Sequence, residues 1–254
     1  RLLASGGLLA GSGLVTGRWL LRHGITPPLS ELFPGELRIA VDASYPPFAV
    51  ATADDLFGLD IDLGRAIGER IGIPVRFVNM GYDGLYDSLQ TGQTDLILSA
   101  LLMDGAKLGD VRYTRYYFDA GLILVSAKNQ PIESSMNSLV GKSLAYEFGS
   151  AADGEARAWA RRIGDFEHRP YELPEYALDA VRFQQADTAL VDAIAGRLYL
   201  RQHPDWQADY VSITHALFAG AVRIDRIFVW RLVNRALQDM VDNDSLDKII
   251  ARWL

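Results

Sequence analysis

The sequence predicts an α/β fold built as two similar lobes, and three of its features predict it. Strand-like apolar runs alternate with segments of helical spacing from Leu37 onward, the order that builds an α/β sandwich with mostly parallel pairing. That order restarts at Ser143, well inside the chain. Ser88–Asp95 (SLQTGQTD) is echoed by Ala180–Asp187 (AVRFQQAD). Each is a helix end, a polar turn and an aspartate ahead of an apolar strand, as two related units would produce.

The elements follow in order. Leu2–Gly17 carries no charge and is followed by Arg18, Trp19 and Arg22. Residues 1–22 read as a membrane anchor or an uncleaved signal-like helix. Trp19 suits an interface, and Gly7/Gly11 and Gly13/Gly17 have the spacing that lets helices approach in lipid. Arg18 and Arg22 are the kind of charge usually found on the cytoplasmic side. Residues 23–35, with Pro27, Pro28 and Pro34, read as a stiff linker. Leu37–Val41 reads as a strand, and Pro46 and Pro47 end any strand after it by removing two ladder donors. GLDIDLGRAIGERIG (58–72) has helical spacing, with Asp60 or Asp62 serving its N-terminus. Strand 75–78, helix 82–92 and strand 95–100 complete the first run, and strand 122–125 follows. The second run is strand 143–146, the turn Phe148-Gly149-Ser150, helix 151–163, helix 176–183 and strand 188–191. Residues 227–254 form a long amphipathic helical stretch. In open α/β sheets ligands sit beyond the carboxyl ends of strands. That points to Asp42–Tyr45 and Ser99–Lys107 as the mouth of a cleft.

Composition narrows the function. The chain has 254 residues, 49% hydrophobic and 22% charged, which is globular composition. Its net charge of −7 and lack of a basic patch argue against nucleic acid as a partner. Without cysteine there is no disulfide, thiolate nucleophile or zinc–sulfur site. His23, His168, His203 and His215 have no metal-ligand spacing. No GxGxxG, P-loop or nucleophile elbow is present, so no cofactor is expected.

Several segments, in order, resemble the family 3 extracellular solute-binding proteins of polar amino-acid ABC transporters. They are LRIAVDASYPPF, GLDIDLGRAIGERIG, YDGLYDSLQTGQTDLIL, YTRYYFDAGLILV, GKSLAYEFGS, ALDAVRFQQADTALVD and VNRALQDMVDNDSLDKIIARWL. The resemblance implies a two-lobed periplasmic-binding-protein-like fold, with residues 36–124 plus 217–254 as lobe 1 and 125–216 as lobe 2. It implies a ligand trapped between hinged lobes. Tyr45 and Tyr82 would pack on that ligand, and Asp192 would take an ammonium group. Gly149 and Ser150 would offer a helix start to a carboxylate, and Ser99 would stay polar beside it. The family's clamp arginine is Lys107 here, which lacks the bidentate fork. Ala100 and Leu102 stand where polar contacts are usual, and Asp104 adds an acid. A cationic or less acidic solute fits that pattern better than an ordinary α-amino acid.

The function expected is a membrane-tethered binding protein, not an enzyme, at the periplasmic or extracellular face. It would hand a small amino-acid-like solute to an ABC permease. Two other readings stay open. One is a degenerate binding fold acting as an accessory subunit of another membrane complex through the N-terminal helix. The other is a cyclohexadienyl dehydratase-like enzyme with Glu147 or Asp104 as general acid.

Overall fold

The strand Leu37–Val41 is buried at four of its five positions because both of its faces are covered. Leu37, Ile39 and Val41 pack in one cluster with Leu63 and Ile67 of the helix Leu59–Ile71. Ala40 packs in another with Leu85 and Leu89 of the helix Leu85–Gln90. A helix on each face is the arrangement that buries a parallel sheet. A computed structural model describes residues 27–128, 135–164 and 166–254. The anchor expected over 1–22 and the start of the linker lie outside the described residues. Among those described, no helix is long and apolar enough to cross a membrane.

Two five-stranded sheets form the frame. The first runs Val75–Asn79, Leu37–Val41, Leu96–Ile97, Leu217–Arg223, Val111–Asp119 from edge to edge. The second runs Glu167–Tyr171, Ser143–Glu147, Thr188–Asp192, Leu122–Ala127, Ala208–Ser212. Mostly parallel pairing was the expectation, and the two sheets mix parallel and antiparallel pairs evenly. Leu37–Val41 pairs in parallel with both of its neighbours. Leu217–Arg223 and Leu122–Ala127 each run antiparallel to the strands on both sides of them. The reason is topological. These are the strands by which the chain passes between sheets, so each enters its new sheet from the shared edge.

The crossing itself is tightly built. Ala120 N–H donates to Ala216 O at 2.8 Å and Leu122 N–H to Thr214 Oγ1 at 2.8 Å. Asp119 Oδ1 accepts from Gly121 N (3.0 Å) and Ala216 N (2.9 Å), and its Oδ2 meets His215 Nδ1 at 2.5 Å. A Cβ on Gly121 would lie 2.0 Å from Thr214 O, so only glycine lets the segments approach this closely. Burial works against the Asp119 charge, but hydrogen bonds from His215, Ala216 and Gly121 outweigh it and hold the carboxyl below its usual range. Beside the crossing, the Arg197 guanidinium lies 5.6 Å from the Phe118 ring and 5.5 Å from the Tyr210 ring.

Three expectations meet corrections. Part of the expected linker is folded: Leu29–Leu32 is helical, and Phe33 is 1% exposed in the main core. Burying a phenylalanine contributes about 1.5–3 kcal/mol, enough to hold the segment down. The strand expected over 95–100 shrinks to Leu96–Ile97, because Ala100 takes a positive φ of 43°. The long C-terminal helical stretch is two helices, Ile227–Asp242 and Ser245–Trp253, separated where Asp244 has φ 58°.

Candidate functional site

Asp42 ends the first central strand and organises the loops beside it. Its N–H donates to Ser99 Oγ at 2.9 Å. Its Oδ1 accepts from Ser44 N (3.1 Å) and Ser44 Oγ (2.6 Å), and its Oδ2 accepts from Tyr82 N at 2.9 Å. Through its carboxylate and its N–H, Asp42 thus ties three loops at the carboxyl end of the sheet. Tyr45 stacks on buried Phe48 with centroids 5.6 Å apart and planes 8° from parallel, yet is 47% exposed. Tyr82 is 48% exposed. Together with Ala100, Leu102 and Phe218, these groups line a recess of about 330 Å³.

Ser99 and Ala100 owe their position to a buried acid. Asp60, fully buried in the first turn of Leu59–Ile71, accepts from Ala100 N through Oδ2 at 2.7 Å. Tyr117 OH accepts from the same N–H at 3.1 Å and also hydrogen-bonds the Asp60 carboxyl. Asp60 Oδ1 has no partner among the described residues. Burial drives the Asp60 pKa up to about 7, against the opposing pull of the hydrogen bonds from Tyr117 and Ala100. Asp60 therefore fixes the left-handed turn at Ala100 and does not serve as an exposed helix-start charge. Its neighbour Asp62 accepts from Arg252 Nη1 (2.8 Å) and Trp253 Nε1 (2.9 Å), tying this helix to the C-terminal one.

The second sheet presents a narrower recess of about 80 Å³, lined in part by Leu122, Glu147, Ser150, Ala151, Pro174 and Asp192. Ser150 caps the helix Ala151–Ile163: its Oγ accepts from Ala152 N (3.1 Å) and Asp153 N (3.4 Å) and donates to Glu147 O (2.7 Å). Asp192 caps the helix Ala193–Gln202 by accepting from Ile194 N (3.0 Å) and Ala195 N (2.9 Å), both through Oδ1. Its Oδ2 accepts no hydrogen bond among the described residues. Asp192 also reaches across: Tyr45 has its pKa raised, first by burial and then by the Asp192 charge. The charge of Asp192, in the second recess, is thus felt at Tyr45, in the first.

Of the residues singled out from sequence, Tyr45, Tyr82 and Ser99 line the first recess, and Ser150 and Asp192 the second. Gly149 and Lys107 line neither. Gly149 takes φ 75° and donates its N–H to Asp153 Oδ2 at 2.9 Å. Lys107 closes a 3₁₀ turn whose cap, Asp104, accepts from Ala106 N. Its Nζ lies 5.1 Å from the centroid of the Tyr86 ring, and the Tyr86 hydroxyl meets Tyr113 OH at 2.7 Å.

Residues 37–254 match the model for bacterial extracellular solute-binding proteins, family 3. The chain belongs to that family. Among related solute-binding proteins, the arginine-binding extracellular protein ArtP of Bacillus subtilis is 25% identical over 227 residues, covering 88% of each chain. The L-arginine-binding protein of Pseudomonas aeruginosa is 29% identical over 163 residues, covering 64% of this chain and 58% of that protein. The L-cystine solute receptor of Neisseria gonorrhoeae, in its unliganded open conformation, superposes with a TM-score of 0.73. It covers 89% of this chain and 95% of the receptor at 20% identity, a likeness of fold. In this solute-binding protein, sequence reasoning missed Asp42 as the organiser of the first recess and Asp60 as its support. The signal for Asp42 was present, an acid at the end of a buried strand; Asp60 looked like an ordinary first-turn acid.

Proposed function

We propose that this solute-binding protein captures a small polar, amino-acid-like solute between the two recesses and passes it to an ABC permease. The observation that carries this reading is that half-exposed Tyr45, beside Tyr82 in the first recess, feels the charge of Asp192 in the second, whose Oδ2 accepts no hydrogen bond among the described residues. Tyr45 and Tyr82 supply ring faces to the solute, and Asp192 takes its ammonium group. Ser99 and Ser150 border it with hydroxyls, while Lys107 and Gly149 line neither recess. The lobes are taken as residues 36–124 with 217–254, and 125–216, with the solute trapped by closure about the crossing strands. The uncharged run Leu2–Gly17 supports a tether to the outer face of the membrane.

Isothermal titration of the protein with amino acids, amines and carboxylates tests this. A binder with a micromolar Kd, weakened by Asp192→Asn, is the expected result. No heat from any of them at millimolar concentration would remove the reading.

A further inference from the structure

The cleft is rich in acids and short of cations. Asp42 lines the first recess, and Glu147 and Asp192 line the second. No lysine or arginine lines either recess among the described residues. Lys107, the nearest counterpart of a clamp cation in the sequence, rests against the Tyr86 ring.

Most of the donors that a carboxylate would use are already spent, the Leu102 and Ala151 N–H groups being exceptions among the lining residues. The Ala100 N–H goes to Asp60, and the Tyr82 and Ser44 N–H groups go to Asp42. At the helix start, the Ala152 and Asp153 N–H groups go to Ser150 Oγ. The Gly149 N–H goes to the Asp153 carboxylate, whose negative charge Arg157 holds below the usual carboxylate range. A helix N-terminus attracts anions through its free N–H groups; this one already holds an internal anion. What the cleft leaves available is the opposite set: Asp192 Oδ2 and two half-exposed tyrosine rings. Alkylammonium and guanidinium groups bind to such rings and carboxylates together.

We infer that the cleft recognises its solute as an organic cation, an alkylamine or alkylguanidine, and that a carboxylate on the solute is dispensable. This rests on the solute-capture reading above and specifies what is captured. A carboxylate entering between Asp42, Glu147 and Asp192 meets like charge and few donors, so removing or masking it does not weaken binding.

The test compares matched probes on the intact protein by isothermal titration: arginine, arginine methyl ester and agmatine, then lysine and cadaverine, with glutamine as the neutral control. Agmatine and the ester are expected to bind as tightly as arginine or tighter, cadaverine as tightly as lysine or tighter, and glutamine at least tenfold more weakly. Arginine binding tenfold tighter than both agmatine and the ester would overturn the inference while leaving solute capture standing. Binding of glutamine alone would do the same. If none of the six probes binds at millimolar concentration, the inference is overturned, and solute capture falls with it only when the wider screen of amino acids, amines and carboxylates also gives no heat.

Discussion

The two recesses are made by different means. The first is wide, about 330 Å³, and its walls are rings and loops tied by acids that face inward to backbone N–H groups. The second is narrow, about 80 Å³, and its polar groups are helix caps. The comparison teaches that a carboxylate can serve two masters only if its oxygens divide the work. Both Asp42 oxygens are bonded within the protein. Asp192 uses one oxygen for its helix and keeps the other for the cleft. One sheet supplies shape and the other supplies charge.

The largest effect expected breaks the first recess from below. Asp60 has a folded pKa of about 7 and an unfolded value near 3.8, so the folded state binds more protons between those values. Stability therefore falls as pH rises from about 4 to about 7 and is level above that. At about 1.4 kcal/mol per pKa unit, the fall is on the order of a few kcal/mol. Asp60→Asn retains an acceptor for Ala100 and cannot ionise, so urea unfolding of this variant at pH 5 and pH 8 should lack the decline. Parallel curves for variant and parent would refute the role given to Asp60.

Next comes the charge of the second recess. Asp192→Asn keeps a strong cap but loses the carboxylate, so affinity for a cationic solute should drop by roughly 10–100-fold, about 1.5–3 kcal/mol. Thermal melting should barely move. Asp192→Ala should add a capping loss of about 1 kcal/mol to the same binding defect. Calorimetry and melting on both variants separate the two jobs. An unchanged affinity in the asparagine variant would mean that Asp192 is a cap alone. Smaller effects belong to the rings: Tyr45→Leu or Tyr82→Leu should each weaken the same solute by about 0.5–2 kcal/mol.

Much of this division was legible in the sequence. The helix Ala151–Ile163 was readable because a cap residue, Ser150, precedes a regular apolar spacing. Asp192 was readable because an acid ends a run of apolar residues. Local pattern gave out where partners come from far along the chain. Val111–Asp119 alternates poorly, with exposed Arg112 and Tyr116 between buried Val111 and Phe118, so its strand character comes from Leu217–Arg223 about a hundred residues on. The shortened strand at Leu96–Ile97 has a similar cause. Its expected continuation bends at Ala100 toward Asp60, 40 residues earlier. Burial of Asp60 depends on Tyr117 and the packed sheet, which no window around residue 60 contains.

The smallest effect tests the strip that joins the recesses. At Asp119, burial opposes the charge and the hydrogen bonds from His215, Ala216 and Gly121 prevail, so the folded pKa is depressed. Its stabilisation is therefore full above the unfolded value near 3.8 and is lost as pH falls through the folded value. Asp119→Asn retains an oxygen for Gly121 and Ala216 and loses only the charge facing His215. At neutral pH it should cost less than about 1 kcal/mol, a melting shift within about 2–4 °C. Below pH 4 the gap between variant and parent should begin to narrow, closing as pH falls through the folded value and the parent loses its own charge. Solute affinity should stay the same, since Asp119 lines neither recess. If affinity falls while melting holds, the crossing sets how the two recesses meet, and shape and charge are not separable properties of two sheets.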